Sequence, residues 1–151
     1  MKTTKVLSKF LIVSIFTFLA FTTQVKANVI PVTKWNIQLT LEEVELLSRT
    51  VQLEAGGEIT EGKYATTETI LNRVASDKYP NTLIEVLSQK GQFSAWKNIS
   101  NIKATPTADT YQAIIMVLTG QTNTVACNTL KFNNKPIGNN SIKIGNQYYG
   151  E

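Results

Sequence analysis

Residues 41–75 read LEEVELLSRTVQLEAGGEITEGKYATTETILNRVA, and this stretch decides the fold because it predicts two consecutive helices. Thr40 and Glu43, at its start, have the spacing of a capping box, and the apolar residues that follow predict a helix over about 41–54. The glycine pair at 56–57 breaks that helix. A second helix is predicted from a cap at Thr60 to about residue 75.

Glu54 is placed by this pattern at the C-terminal end of the first helix. The helix dipole is negative there, so an ionised carboxylate is disfavoured and the side chain tends to keep its proton. A carboxyl group that is protonated near neutral pH can donate a proton to the oxygen of a glycosidic bond. The alternative is a frayed, solvated helix end, and the residues alone favour that alternative.

The first 27 residues have the pattern of a signal peptide. Lysines at positions 2, 5 and 9 precede an apolar run over 10–21, and Val25-Lys26-Ala27 resembles a small-x-small cleavage site. The apolar run is shorter than the roughly 20 residues that a membrane-spanning helix needs. We therefore expect an exported protein without stable membrane insertion once the signal is removed, in which residues 28–151 form one domain.

The composition excludes several classes of function. The chain has no histidine, which removes the usual Ser-His and Cys-His nucleophile pairs and His-based zinc sites, so we expect neither metal nor cofactor. Four of the fifteen basic residues lie in the signal segment, and the remaining chain balances eleven basic against eleven acidic residues. The basic isoelectric point is therefore no indication of nucleic-acid binding. The single cysteine, Cys127, cannot form an intramolecular disulfide and is predicted to be a small buried side chain.

The rest of the chain predicts two further helices and a small amount of sheet. Thr82 and Glu85 form a second capping-box pattern that opens a short helix ending before Gly91. Pro106 fits the first turn of another helix, which closes at Gly120. From residue 122 onward, turn residues separate short β-prone runs at 129–132 and 142–144, which predicts a C-terminal sheet or hairpin.

Two segments combine aromatic rings with amides, a composition suited to sugar rings. The first is Gln92-Phe93-Ser94-Ala95-Trp96, and the second is Lys143 to Tyr149. The alternative is that the rings are core residues. That alternative comes first for Phe93, whereas both interpretations stay open for Trp96.

Three runs together resemble the SleB-type spore-cortex-lytic, cell wall hydrolase family. They are LLSRTVQLEAGGEITEGKYATTETILNRVAS from residue 46, YPNTLIEVLSQKGQFSAW from residue 79 and KIGNQYY from residue 143. The resemblance implies an α+β, mostly helical domain related to lysozymes and lytic transglycosylases, with a small C-terminal sheet. It also implies cleavage of the glycan strands of peptidoglycan through one catalytic glutamate.

Residue by residue, the family's EA-x-GE block falls on 54–58, which makes Glu54 the catalytic acid. Asn72 and Arg73 match an Asn-Arg pair expected to support the site by hydrogen bonds. The residues expected to contact the substrate are Glu58, Asn72, Gln92, Phe93, Ser94, Trp96, Asn146, Gln147 and Tyr148. The family usually has a basic residue at position 56 and commonly a histidine at position 147, where this chain has Gly56 and Gln147.

The number of available acids favours a lytic transglycosylase, which needs one carboxyl group, over a hydrolytic muramidase, which generally needs two. Glu58, Glu61 and Glu68 are the candidates for a second acid, and Glu58 is expected to orient its surroundings instead of attacking. A third hypothesis is a wall- or cortex-binding protein without turnover. We expect a secreted monomer acting on glycan strands in the cell wall or the spore cortex, and the sequence leaves room for a helper protein.

Overall fold

The structure is a computed structural model that describes residues 28–151, so the predicted signal peptide over 1–27 lies outside the described residues. In chain order the elements are β1 Val29–Val32, β2 Ile37–Thr40, α1 Leu41–Ala55, α2 Thr60–Ala75, α3 Leu83–Ser88, α4 Ala108–Leu118, β3 Lys131–Asn133, β4 Ile142–Ile144 and β5 Gln147–Gly150, with short 3-10 helices at Thr33–Trp35, Ser94–Asn98 and Ile102–Ala104. The predicted α+β class with a small C-terminal sheet is confirmed. None of the helices described here has both the length and the apolar character required to cross a bilayer.

Helix α1 begins and ends where the sequence predicts. The Thr40 hydroxyl accepts a hydrogen bond from the Glu43 amide at 3.2 Å, and the Glu43 carboxylate accepts one from the Thr40 amide at 2.9 Å, which completes the capping box. At the other end, Gly56 still has right-handed helical torsion angles and donates to the Gln52 carbonyl at 3.0 Å. The chain therefore leaves the helix one to two residues after Glu54.

Helix α2 is the centre of the molecule and is buried on nearly every side from Gly62 to Val74. The sequence predicted only one buried stripe. Threonines can lie inside because their hydroxyls return to the preceding turn, as Thr67 does to the Lys63 carbonyl at 2.8 Å and Thr69 to the Ala65 carbonyl at 2.7 Å. Thr60 is the first helical residue and not the predicted cap, because the first turn closes on the carbonyl of Ile59.

Helices α3 and α4 pack against α1 and α2. The Thr82 hydroxyl caps α3 as predicted, by accepting from the Glu85 amide at 3.3 Å. The predicted capping box is incomplete, because the Glu85 carboxylate accepts from the Thr82 hydroxyl at 2.6 Å and not from the Thr82 amide. Helix α4 begins later than predicted, because the hydroxyl of Thr107 caps it and Pro106 precedes it. Gln52 of α1 fixes this start by accepting from the Thr107 amide at 3.0 Å.

The strands form two antiparallel sheets. The N-terminal hairpin of β1 and β2 was not predicted, whereas the C-terminal sheet was, with strand order β3-β5-β4. A two-residue turn, Gly145-Asn146, joins β4 to β5, and Gly145 has the positive φ of 60° that such a tight turn uses. Central strand β5 thereby lies beside α2 and carries Gln147 and Tyr149 toward it.

Cys127 is exposed, so the prediction of a buried side chain is wrong. The residue lies in a tight turn closed by the Thr129 amide, which donates to the Ala126 carbonyl at 2.9 Å. Val125, two residues earlier, fills the interior instead. The apolar run 125–127 therefore did not indicate which of its side chains points inward.

Candidate active site

Glu54 lines a cavity of about 270 Å³. The end of α1 supplies Glu54 itself, α2 supplies Arg73, and the remaining walls come from the loop after α3, from β3 with the residue after it, and from β5. The other lining residues are Gln92, Phe132, Asn133, Asn134 and Gln147. Five separate parts of the chain thus meet at this cavity, which holds one carboxyl group.

Burial raises the pKa of the Glu54 carboxyl above its ordinary value. A hydrogen bond from the Ala95 amide to Oε1, at 3.3 Å, and the charge of Arg73 act in the opposite direction but are weaker. The helix-end argument predicted the same direction, but the main cause is desolvation. Within residues 28–151 the second carboxyl oxygen has no protein hydrogen-bond donor, so it is available to a ligand.

Gln147 fixes the backbone that carries this acid. Its amide nitrogen donates to the Glu54 carbonyl at 2.8 Å, and its amide oxygen accepts from the Tyr149 hydroxyl at 3.0 Å. That hydroxyl lies 3.0 Å from the hydroxyl of Thr66 on α2, and burial raises the pKa of Tyr149 to about 12. A neutral amide, which offers both a donor and an acceptor, thus connects the end of α1 to β5 and α2.

Glu58 anchors the turn between β4 and β5. Its carboxylate accepts from the Asn146 amide at 2.8 Å, and its backbone carbonyl accepts from Lys63 Nζ at 2.6 Å. A Cβ atom at Gly145 would collide with this carboxylate, so the close approach requires glycine. Glu58 does not line the cavity of Glu54. Its position therefore agrees with an orienting role for the neighbouring backbone.

Arg73 is held in an aromatic cage at the base of the cavity. Its side chain is 4% exposed, and Nε donates to the Leu130 carbonyl at 2.6 Å. The guanidinium carbon lies 5.2, 5.0 and 5.8 Å from the ring centres of Tyr79, Phe93 and Phe132. Phe93 is therefore largely buried in the core, as its first interpretation held, and it also lines the groove formed by the loop after α3.

Asn72, which was predicted to contact substrate, does not line the cavity of Glu54. Its oxygen accepts from the Trp35 indole at 2.6 Å, and its nitrogen donates to the carbonyls of Ala126 and Thr129 at 2.9 and 3.0 Å. The side chain is almost fully buried and its hydrogen-bonding groups are occupied inside the protein. Asn72 therefore supports the fold behind the site.

The remaining predicted residues divide into three groups. Gln92 shares the cavity with Glu54, whereas Ser94 and the half-buried Trp96 line an adjoining groove of about 640 Å³. The Ala95 amide, between them in sequence, bonds to Glu54 and so places the groove next to the acid. Exposed Asn146 and half-buried Tyr148 lie at the β4–β5 turn, outside the cavity.

Phe132, Asn133 and Asn134 were not predicted as site residues. Phe132 ends the β-prone run at 129–132 and the two asparagines follow it, and these two consecutive amides are the only local signal for a site. Their place opposite Glu54 depends on the pairing of β3 with β5, a contact between distant parts of the sequence. Among the described residues no cluster of acidic or cysteine side chains has the arrangement of a metal site.

Fold and cavity together define a small α+β enzyme domain whose cleft carries a single partly buried acid. The model of the cell wall hydrolase family matches residues 57–149, which is more than half of the chain. The chain therefore belongs to the cell wall hydrolase family and is an enzyme that acts on peptidoglycan. The matched range begins just after Glu54, so the role of that residue depends on the geometry described above.

Two solved structures share the fold. The catalytic domain of the germination-specific lytic transglycosylase SleB from Bacillus anthracis is 24% identical with a TM-score of 0.62, and the match covers 75% of this chain and 97% of that one. The catalytic domain of the Bacillus cereus SleB protein is 25% identical with a TM-score of 0.60, covering 72% and 89%. A comparison with curated proteins gives no significant match.

Proposed function

We propose that the protein is a lytic transglycosylase that cleaves peptidoglycan between N-acetylmuramic acid and N-acetylglucosamine, with Glu54 as its catalytic residue. The observation that carries the proposal is that Glu54 is the one carboxyl group lining the cavity among residues 28–151. Its raised pKa suits a general acid, which must be protonated when the substrate binds. A reaction that requires only one acid fits this arrangement better than one that requires two.

The proposed reaction proceeds in two proton transfers. Glu54 donates its proton to the glycosidic oxygen as the bond from that oxygen to C1 of the muramyl residue breaks. The C6 hydroxyl of the same muramyl residue then bonds to C1, and its proton returns to the Glu54 carboxylate. The products are a 1,6-anhydromuramyl end and a free hydroxyl on the leaving sugar, with no water consumed. Attack within one sugar benefits from a high effective concentration.

The other carboxylates that were candidates for a second acid lie outside the cavity of Glu54. Glu58 accepts from the Asn146 amide, and Glu68 is fully buried beneath the loop at 122–125. Glu61 is exposed in the first turn of α2, where the helix dipole favours a carboxylate. These placements support a mechanism with one acid.

The cellular setting is part of the same proposal. The signal-like segment over 1–27 supports export of residues 28–151 as the mature domain. The Bacillus anthracis relative is described as germination-specific, which supports the spore cortex as one substrate, with the vegetative wall as the other. We propose that the domain acts on one or both as a monomer.

The products decide between the lyase and a hydrolase. Residues 28–151 would be incubated with purified spore cortex and with vegetative wall, and the released muropeptides analysed by mass spectrometry. We expect anhydromuramyl ends, which are lighter by one water than the reducing ends left by hydrolysis. Reducing ends alone would establish a muramidase, and binding to the insoluble wall without release would establish a protein without turnover.

Glu58 provides a second test of the one-acid mechanism. Glu58→Gln keeps the size of the half-buried side chain and an oxygen that accepts from the Asn146 amide, so we expect activity within about threefold of wild type. Glu58→Ala releases the β4–β5 turn and loosens Gln147 beneath Glu54, and we expect activity to fall about tenfold or more through misplacement. Rates of turbidity loss on peptidoglycan measure both effects.

The two Glu58 variants distinguish chemistry from positioning. A general base or nucleophile at Glu58 would make the glutamine variant as inactive as the alanine variant, because both lack the ionisable group. That result would overturn the one-acid mechanism and favour hydrolysis.

A further inference from the structure

The guanidinium of Arg73 is incompletely hydrogen-bonded, and one of its two terminal nitrogens is buried. Nε bonds to the Leu130 carbonyl, but Nη1 is buried and has no partner among the described residues. A buried donor without a partner costs on the order of 1–3 kcal/mol, and buried arginines are ordinarily paired. An arrangement with this cost indicates a use for an uncompensated positive charge.

The aromatic rings around Arg73 stabilise its positive charge but do not neutralise it. The rings of Tyr79, Phe93 and Phe132 attract a cation through their faces but carry no net charge. Arg73 forms no ion pair in the described part of the chain, although Arg73 and Glu54 line the same cavity. The positive charge therefore acts on the cavity at a distance.

The separation of Arg73 from Glu54 suits the two roles of Glu54, which must first donate a proton and then accept one. A direct ion pair would keep Glu54 ionised, and no proton would be available for the leaving oxygen. Without any cation nearby, the buried carboxylate left after proton transfer would be very unfavourable. A fixed charge near Glu54, but not in contact with it, permits both states.

We propose that Arg73 is a positioning residue for the reaction, whose caged charge stabilises the carboxylate that Glu54 becomes after giving up its proton. This inference rests on the proposed function. The charge of Arg73 also lowers the pKa of Glu54, although less strongly than burial raises it.

Other ionisable groups near the site do not supply this charge. Tyr79 faces the guanidinium, Glu58 faces the Asn146 amide, and Tyr149 lies behind Gln147. The loop after α3 contributes the backbone amide of Ala95, and β3 with the residue after it contributes neutral side chains. Arg73 is therefore the one cationic side chain among the described residues that line the cavity of Glu54.

The test compares two neutral variants with one that keeps the charge. Arg73→Met fills the aromatic cage, Arg73→Gln retains a donor for the Leu130 carbonyl, and Arg73→Lys keeps a cation between the rings. We expect kcat to fall about 10²-fold in the neutral variants, the order seen when one electrostatic stabiliser is removed. The alkaline limb of their pH–rate profile moves to higher pH, because Glu54 holds its proton more tightly once the cation is gone. Arg73→Lys keeps the limb near its wild-type position.

Carbon-13 NMR titration of the Glu54 carboxyl gives a readout that needs no turnover. The proposal predicts a higher pKa in whichever neutral variant folds, and a near wild-type pKa in Arg73→Lys. Loss of activity and thermal stability in all three variants, with the titration unmoved, would make Arg73 a purely structural residue. If neither neutral variant folds, the pKa of Glu54 in Arg73→Lys decides. A pKa above the wild-type value would overturn the proposal, and a pKa equal to the wild-type value would support it.

The two proposals fail in different ways. Activity in Glu54→Gln would refute the proposed function whatever Arg73 does. An inactive Glu54→Gln together with an unshifted alkaline limb in Arg73→Met refutes only the role of Arg73.

Discussion

Replacing Glu54 by glutamine is expected to reduce peptidoglycan cleavage by about 10²–10⁴-fold, the contribution typical of a general acid. Glutamine has the same shape and still accepts from the Ala95 amide, but it has no proton that titrates. The backbone carbonyl of residue 54 keeps its bond from Gln147. The fold should therefore be unchanged, and the thermal melt should match wild type or lie slightly above it, because a partly buried carboxyl is removed.

Release of soluble muropeptides from purified wall measures the loss, and Glu61→Gln is the matched control. Glu61 lies on the neighbouring helix but is exposed and outside the cavity, so its amide variant should keep wild-type activity. Digestion at the normal rate by Glu54→Gln would refute the assignment. An equal loss in Glu61→Gln would show that the assay reports surface charge and not acid catalysis.

The sequence was sufficient for the helices and for placing Glu54 near the end of α1, because the signals involved are local. A capping box and an apolar period determine α1, and the glycine pair determines where Glu54 falls relative to its end. The position of the β4–β5 turn was not predicted, because its glycine is required by a positive φ and also by the close approach of Glu58, which is distant in sequence.

The walls of the site could not be predicted because they depend on contacts between distant residues. Asn72 and Arg73 are adjacent in sequence, yet Asn72 bonds to the carbonyls of Ala126 and Thr129 outside the cavity, whereas Arg73 lines it. A helix with a single predicted buried stripe gives no means of separating them. Both side chains contact other parts of the protein because α2 is buried on nearly all sides, and that burial results from packing by the whole chain.

Replacing Glu68 by alanine is expected to lower the free energy of unfolding by about 3–5 kcal/mol, the range for breaking a buried charged network. The side chain is 0% exposed, and its carboxylate accepts from the amides of Thr124 and Val125, both at 2.8 Å, from the Thr122 hydroxyl at 2.6 Å and from Lys34 Nζ at 3.4 Å. Alanine leaves the two amides and the hydroxyl without an acceptor. Since domains of this kind are stable by only about 5–15 kcal/mol, the loss is a large fraction of the total.

Urea unfolding followed by circular dichroism measures the loss, with Glu68→Gln as the graded variant and Glu61→Ala as the control. Glutamine can keep one oxygen toward the two amides while its nitrogen faces the Thr122 hydroxyl, which can turn to accept, so we expect a loss of only about 1–2 kcal/mol. Glu61→Ala should change stability by no more than about 1 kcal/mol, because an exposed charge at a helix start contributes little. If Glu68→Ala unfolds at the wild-type urea concentration, Glu68 does not fix the 122–125 loop to α2. The position of the loop that leads to β3, and with it the cavity wall opposite Glu54, would then have to depend on the two carbonyl bonds of Asn72 instead.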